Sequence, residues 1–353
     1  EMVPSRCRAP VRFLLSAEIS SIYKKNERTR KVHNLVFIPT MDAARRIQAP
    51  LSRIGNIQSD GRPILGLDAK ELLKIVKENS DEAVLVPAHA WTPHFSVLGA
   101  KSGFDSLAEC FEELTAHIPA IETGLSSDPP MNWRLSVLNE VRLISNSDAH
   151  SPIKLMREAN LFDTDLTYHA IMTSITEPAS HGFLGTLEFY PEEGKYHYDG
   201  HRACSMRLAP EETRNNGGRC PKCNRKVTVG VMHRVEELAD LPAGSCSPAG
   251  RPYQSTIPLM EIIAEVMQAG VNTKKVMGAY LDLLSRLGNE YHVLLEAELD
   301  SIRQTSSDLL AEAISRVRSG RVEIQPGYDG EFGTIRVFSK EERQQITGQL
   351  DLF

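Results

Sequence analysis

The 353-residue chain has no apolar run approaching the ~18 residues that a membrane span needs. It shows no secretory leader, because the opening EMVPSRCRAP carries no hydrophobic h-region. It does not begin with methionine, and one expectation is that it is a piece of a longer protein. There is no G-x4-G-K-[ST] phosphate loop, so nothing supports a motor function. There is no repeat and no low-complexity tract. Positive charge is not in excess: 40 Lys and Arg face 46 Asp and Glu, a net charge of −6. That excludes a protein coated in positive charge, though not a local basic groove. Cysteine is scarce for a disulfide framework. Three of the six fall close together (Cys204, Cys220, Cys223), while Cys7, Cys110 and Cys246 are scattered. In a chain without secretion signals such clustering points to metal, and a reducing cytoplasm is expected.

What is present is ordinary for a globular protein: 41% hydrophobic and 24% charged residues. The length suits two or three domains. From residue 11 to about 185, short apolar runs alternate with helical patterns. VRFLLSAEIS, NLVFIP, AVLVPAHA, AIET and VRLISNS read as strands. MDAARRIQAPLSRIG reads as a helix stopped at Gly55, DAKELLKIVKENS as one capped by Asp68, and FDSLAECFEELTAHI as one capped by Asp105 or Ser106. Repeated β-then-α predicts a parallel sheet with crossover helices, as an open α/β fold or a barrel. Segment 186–256 is rich in Gly, Pro, Tyr, His and Cys and reads as a small metal-stapled module. From 257 the pattern is helical (258–269, 272–287, 289–304, 306–319), with Ser306, Ser307 or Asp308 as a cap and Gly320 as a stop. The end reads as a hairpin around PGYDG.

His201, Cys204, Cys220 and Cys223 follow H-x2-C, fifteen residues, then C-x2-C. Two close pairs at that gap fit tetrahedral zinc, the x2 spacing forming a knuckle and Gly217 and Gly218 its turns. His197 competes with His201 as the fourth ligand. Four protein ligands close a site, so its role would be structural. Arg214, Arg219, Lys222, Arg225 and Lys226 make the same module basic, as a phosphate-facing surface or merely a solvated one.

A second set lies at strand ends. Glu18 ends one run, His33 begins another, His89 follows a third and Glu122 ends a fourth. ISNSDAHSP adds Asp148 and His150, two apart, so that both face one side in extended chain. Barrel active sites gather at the carboxyl ends of strands. Mixed imidazole and carboxylate suits zinc, manganese or iron rather than calcium.

The motifs around Glu18, KVHN with His33, PAHAW with His89 and SDAH with Asp148 and His150 resemble the PHP (polymerase and histidinol phosphatase) superfamily. More narrowly, SDAHSP…REAN, GTLEFYPEEGKYHYDGHRACSMRLAPEE and HRVEELADLP resemble the endonuclease Q family, along nearly the whole chain. The resemblance implies an α/β fold of three parts. These are a distorted β/α barrel with a metal cluster (1–185), a zinc-ribbon-like module (186–256) and a helical domain ending in a β-hairpin (257–353). It implies a metal-dependent DNA repair endonuclease that cuts 5′ of deaminated bases (hypoxanthine, uracil, xanthine) or abasic sites. Glu18, His33, His89, Asp148 and His150 would hold the catalytic metals, with Glu18, Asp148 and His150 catalytic and Glu122 behind them or in the pocket wall. Zn2+ would be structural and also catalytic, with Mg2+ or Mn2+ as alternatives for turnover.

The superfamily also opens on an H-x-H strand motif, whereas the first histidine here is His33. An N-terminal truncation of about 60 residues, two βα units, is one expectation, and a natural variant with a defective site the other. Either implies that this chain hydrolyses DNA poorly. The expected partners are damaged duplex DNA and other repair or replication proteins, with no membrane. Lys101, Lys154 and Arg157 are candidate DNA contacts, as is a basic loop of Lys24, Lys25, Arg28, Arg30 and Lys31. Trp91 and Tyr196 are candidates to stack on bases, with core packing favoured for Trp91. The rival readings are a PHP-type phosphomonoesterase and a non-catalytic DNA-binding scaffold carrying a zinc ribbon.

Overall fold

The computed structural model describes residues 11–343 and 345, apart from 60, 178 and 249. Cys7 lies outside the described residues. The architecture is mixed α/β with a helical C-terminal region. In chain order come β1 (Leu15–Lys25), β2 (Arg28–Ile38), α1 (Met41–Ile54), β3 (Ile64–Leu65), α2 (Ala69–Asn79) and β4 (Val84–Pro87). Then follow α3 (Leu107–Phe111), β5 (Ala120–Glu122), α4 (Pro129–Asn132), β6 (Arg142–Ile144), β7 (Ala159–Phe162), α5 (Tyr168–Thr176) and β8 (Phe183–Glu188). The middle segment holds β9 (Asp199–His201), β10 (Met206–Leu208), α6 (Pro210–Asn215), α7 (Val231–Leu238) and β11 (Tyr253–Ser255). The last part holds α8 (Leu259–Val266), α9 (Lys274–Leu287), α10 (Leu299–Thr305), α11 (Asp308–Arg318), β12 (Glu323–Gln325) and β13 (Thr334–Arg336).

The expected run of parallel strands is corrected. β1 and β2 form an antiparallel hairpin, and β2 pairs antiparallel with β4. Parallel pairing is confined to β1–β3, β5–β6 and β8–β11. The cause is the turn at Asn26 and Glu27, which have φ of 52° and 59°. Two successive left-handed residues make the tight turn that matches strand twist. The expected basic loop is therefore hairpin: Lys25 pairs with Glu112 at 2.6 Å, Arg30 packs on Phe104, and Lys31 lies over Phe95.

Helices start and stop where local chemistry dictates. Thr40 caps α1, Asp68 caps α2, Ser106 caps α3 and Ser307 caps α11, each side chain accepting from a backbone N–H of the first turn. Helices α1 and α2 bury Ile47, Leu51, Leu72, Leu73 and Val76 against Val32 and Val36 of β2 and Leu85 of β4. Each such side chain is worth about 1.5–3 kcal/mol relative to exposure. β4 is covered on both faces, because Val84 and Val86 turn the other way, into a second cluster with Ala120, Ile144 and Phe183. Helices α8–α11 bury a third cluster that includes Tyr190, Val337 and Phe338. α7, missed by the pattern reading, buries Val231 and Val235 in the first cluster. Among the described residues no helix is long and apolar enough to cross a membrane.

Candidate metal centre

The hairpin register assembles the first half of the site. Ser20 sits opposite His33, and paired residues share a face. Glu18, two residues from Ser20, lies on that same face. β4 then ends at Pro87, and the chain turns through His89 at φ 31°. Glu122, at the end of β5, fixes this turn by accepting the His89 N–H at 2.7 Å. Gly124 is needed beside it, since a Cβ there would stand 2.6 Å from the His89 Cβ.

Three donor atoms converge. Glu18 Oε1 lies 3.0 Å from His33 Nδ1 and 3.3 Å from His89 Nε2, and the two ring nitrogens are 3.2 Å apart. Ligands held at about 2.0–2.2 Å from one ion stand roughly 3.0–3.5 Å from each other, so this triangle has the size of a coordination face. His89 Nδ1 meets Thr92 Oγ1 at 3.1 Å, the kind of partner that fixes a ligand ring. A cavity of about 220 Å³ opens on Glu18 and His89, walled by Ser16, Leu35, Phe37, Glu122, Asn146 and Asp148.

The electrostatics follow from crowding two rings on one carboxylate. Burial works to raise the Glu18 pKa, but hydrogen bonds from His33, His89 and Arg62 outweigh it and hold the group well below the usual carboxylate range. Burial disfavours charge on both histidines. For His33 it prevails and lowers the pKa. For His89 it is outweighed by Glu18, Glu122 and Asp148, and the pKa rises. Glu122 is itself raised by burial.

Asp148 reaches the cavity wall from a left-handed residue at φ 45°. His150 does not join the triangle. Its side chain is 83% exposed, with Nδ1 2.9 Å from the Asp148 carbonyl oxygen. Arg157 braces this loop by donating from Nη2 to the Ser147 carbonyl at 2.7 Å. Lys154 reaches Glu261 of α8 at 3.4 Å, and Lys101 is exposed on the loop after His89. Trp91 is buried and donates to Asn132 at 2.8 Å, whereas Tyr196 is exposed. Sequence reasoning placed Glu122 correctly beside the cavity but missed Arg62, Thr92 and Asn146. Arg62 binds Glu18 Oε2 at 2.6 Å, and Asn146 donates to Glu122 at 2.8 Å. No spacing marks them out, since each is a single polar residue in a loop.

The second centre brings together His201, Cys204, Cys220 and Cys223, whose donor atoms all lie within 4.8 Å of one another. Cys223 Sγ stands 3.4 Å from His201 Nδ1. His197 is elsewhere, buried, with its pKa pushed down to about 4 by burial. Burial opposes ionisation of Cys220, but the N–H groups of Cys223 and Lys222 prevail and bring its thiol down to about 7. Left-handed Gly217, Gly218 and Asn224 provide the turns. His233, given no role by its sequence context, binds buried Asp199 at 2.6 Å and ties α7 to β9.

A mixed α/β chain with two clusters of metal-ligand chemistry defines a class, that of a candidate metalloprotein. Comparison narrows it. The family described as MJ0043 C-terminal domain matches residues 258–321. The uncharacterized protein MJ0043 of Methanocaldococcus jannaschii is 31% identical over 82% of this chain, and this chain spans only 36% of its length. The uncharacterized protein YqxK of Bacillus subtilis is 30% identical over 86% of this chain and 74% of its own. Among solved structures, the lesion-specific endonuclease PfuEndoQ from Pyrococcus furiosus superposes with a TM-score of 0.81 at 29% identity, over 94% of this chain and 81% of that one. Endonuclease Q in complex with a 27-mer duplex carrying an abasic lesion at the active site gives a TM-score of 0.78 at 30% identity, over 92% and 79%. The chain belongs to the endonuclease Q family.

Proposed function

We propose that this chain is a metal-dependent DNA repair endonuclease. It cuts the phosphodiester on the 5′ side of deaminated bases (hypoxanthine, uracil, xanthine) or abasic sites in duplex DNA. The observation that carries the reading is the convergence of Glu18, His33 and His89 at 3.0–3.3 Å beside a cavity that also receives Asp148. Family membership gives that geometry its chemistry.

Residues 1–185 are read as the PHP-type barrel that holds the catalytic centre. Residues 186–256 are the zinc-ribbon-like module, and 257–353 the helical domain. Glu18, His33, His89, Asp148 and His150 would hold the catalytic ion or ions, with Zn2+ favoured by the imidazoles and Mg2+ or Mn2+ as alternatives. Such an ion supplies a hydroxide at neutral pH and offsets charge on the phosphate oxygens. The protein's part is to aim and to screen. Glu18 offers one oxygen to the rings and the other to Arg62. Glu122 holds the His89 turn, and Arg157 holds the loop that carries Asp148. An extruded lesion would be presented to the cavity, extrusion costing least at a damaged pair. His201, Cys204, Cys220 and Cys223 are assigned to a structural Zn2+. Lys101, Lys154 and Arg157 are assigned to DNA.

Nicking by the 353-residue chain itself is expected to be slow. Among the described residues only three donors converge, and His150 points to solvent. The test is strand cleavage of matched inosine, uracil and abasic duplexes, with and without each cation. Lesion-dependent nicking supports the reading. Lesion binding with no cutting under any cation turns it toward a non-catalytic scaffold, and preference for a simple phosphomonoester turns it toward a phosphatase.

A further inference from the structure

Arg62 is one of the residues at the metal centre that neither motif nor spacing accounts for. It follows Gly61, which takes a left-handed φ of 76°. The chain then enters β3, whose Ile64 and Leu65 pair parallel with Ser20 and Ser21 of β1. The Pro63 carbonyl accepts the Ser20 N–H at 2.9 Å. Backbone pairing thus pins Arg62 next to the strand that bears Glu18.

The guanidinium is only partly used. Nη2 meets Glu18 Oε2 at 2.6 Å, while the histidines take Oε1. The carboxylate is divided, one oxygen for the ion-binding triangle and one for arginine. Nε is buried with no hydrogen-bond partner. The side chain is still 32% exposed. A guanidinium anchored on Glu18 through one nitrogen, fixed beside a metal-ligand triangle and still partly exposed, has the form of an anion receptor. Phosphate is the anion that a guanidinium grips with two parallel bonds.

We infer that Arg62 is a positioning residue that clamps a backbone phosphate of the nucleic acid at the metal centre while its Nη2 stays on Glu18. The inference rests on the DNA-directed reading of this site but not on cleavage. The alternative is an arginine that merely neutralises Glu18 within the fold.

The experiment measures binding of an abasic duplex by the 353-residue chain across a range of salt concentrations, for wild type, R62Q and R62K, with Zn2+ titration of each. Each phosphate contact contributes about 0.9 to the slope of log affinity against log salt. R62Q should lose about 0.9 of that slope and bind the duplex about tenfold more weakly. R62K keeps the charge without the fork and should restore the slope. Zn2+ stoichiometry should be unchanged in both. An unchanged slope in R62Q overturns the inference. So does a loss that R62K fails to restore, or a Zn2+ defect in R62Q, since either shows action through Glu18's placement alone. No arm measures cleavage, so a chain that binds with the predicted slopes yet never cuts would sink the endonuclease reading and leave this one standing. A wild type with no salt-dependent duplex binding would overturn both.

Discussion

Replacing Glu188 by glutamine tests whether the core holds a neutral acid. Glu188 lies at the end of β8, the strand between β7 and β11, and is fully buried. Its Oε2 accepts from Thr123 Oγ1 at 3.0 Å, while Oε1 has no partner. Glu158, buried close by, has neither oxygen satisfied. Among the described residues no cation forms a salt bridge with either acid. Burial therefore dominates and pushes Glu188 up to about 8, with Glu158 also raised well above its usual range. The sign follows from linkage. The unfolded chain gives up this proton near pH 4.5, and the folded chain keeps it to about pH 8. Stability is therefore highest below the unfolded value and is lost as pH rises between the two. The gap of about 3.5 units, at 1.36 kcal/mol each, makes the loss at most about 5 kcal/mol.

E188Q keeps the shape and cannot ionise. At pH 5.5 it should match wild type within about 1 kcal/mol, because an amide replaces a protonated acid. At pH 9 it should be the more stable by several kcal/mol, a gain in Tm of about 5 °C. Calorimetric melting of both proteins from pH 5.5 to 9 reads this directly. If E188Q is destabilised equally at every pH, or if wild type shows no decline toward pH 9, the buried neutral acid does not exist.

Four further outcomes follow from the two centres and their surroundings. T92V removes the partner of His89 Nδ1 and should weaken Zn2+ binding at the Glu18–His33–His89 centre by about 10–100-fold, read by competition with a chromophoric chelator. C220S, or dialysis against chelator, should remove an ion whose binding is worth about 10–16 kcal/mol in comparable sites. Amide exchange should then rise across 199–228 while α8–α11 keep their protection. R157A should slow nicking and lower the salt slope by up to about 0.9, since Arg157 both braces the Ser147 carbonyl and is assigned to DNA. K154A, whose partner is only a half-exposed Glu261 at 3.4 Å, should lower the slope by about 0.9.

Features set by neighbours in sequence were legible in advance. Asp68, Ser106 and Ser307 cap helices because a short side-chain oxygen reaches an N–H two or three residues on, and Gly320 accepts a φ of 67° that few residues tolerate. The pairing of Cys220 with Cys223 was legible for the same reason, only two residues separating them. Features set by pairing were not. The Asn26–Glu27 turn lacks the glycine that usually announces a hairpin, so a charged tip was read as a loop. α7 was hidden because its apolar positions 231 and 235 span a single turn within a histidine- and cysteine-rich stretch. Asp148 and His150 were placed together on the premise of extended chain. The left-handed φ at Asp148 breaks that period: Asp148 lines the cavity, while His150, its Nδ1 3.9 Å from Asp148 Oδ1, is left exposed.

The centre is built to be stable before an ion enters. A buried carboxylate without partners would cost several kcal/mol, yet Glu18 has His33, His89 and Arg62 around it. A cation binding here would have to displace any proton held by His89, since a ligand ring binds in its neutral form. Ion binding at this centre should therefore release a proton and weaken as pH falls, because the raised pKa of His89 keeps its proton in place to higher pH than a free ring would. Arg62, held on Glu18 Oε2, remains beside the centre after such an exchange. The same arginine that partners Glu18 is therefore the one placed to meet the phosphate in the inference drawn above.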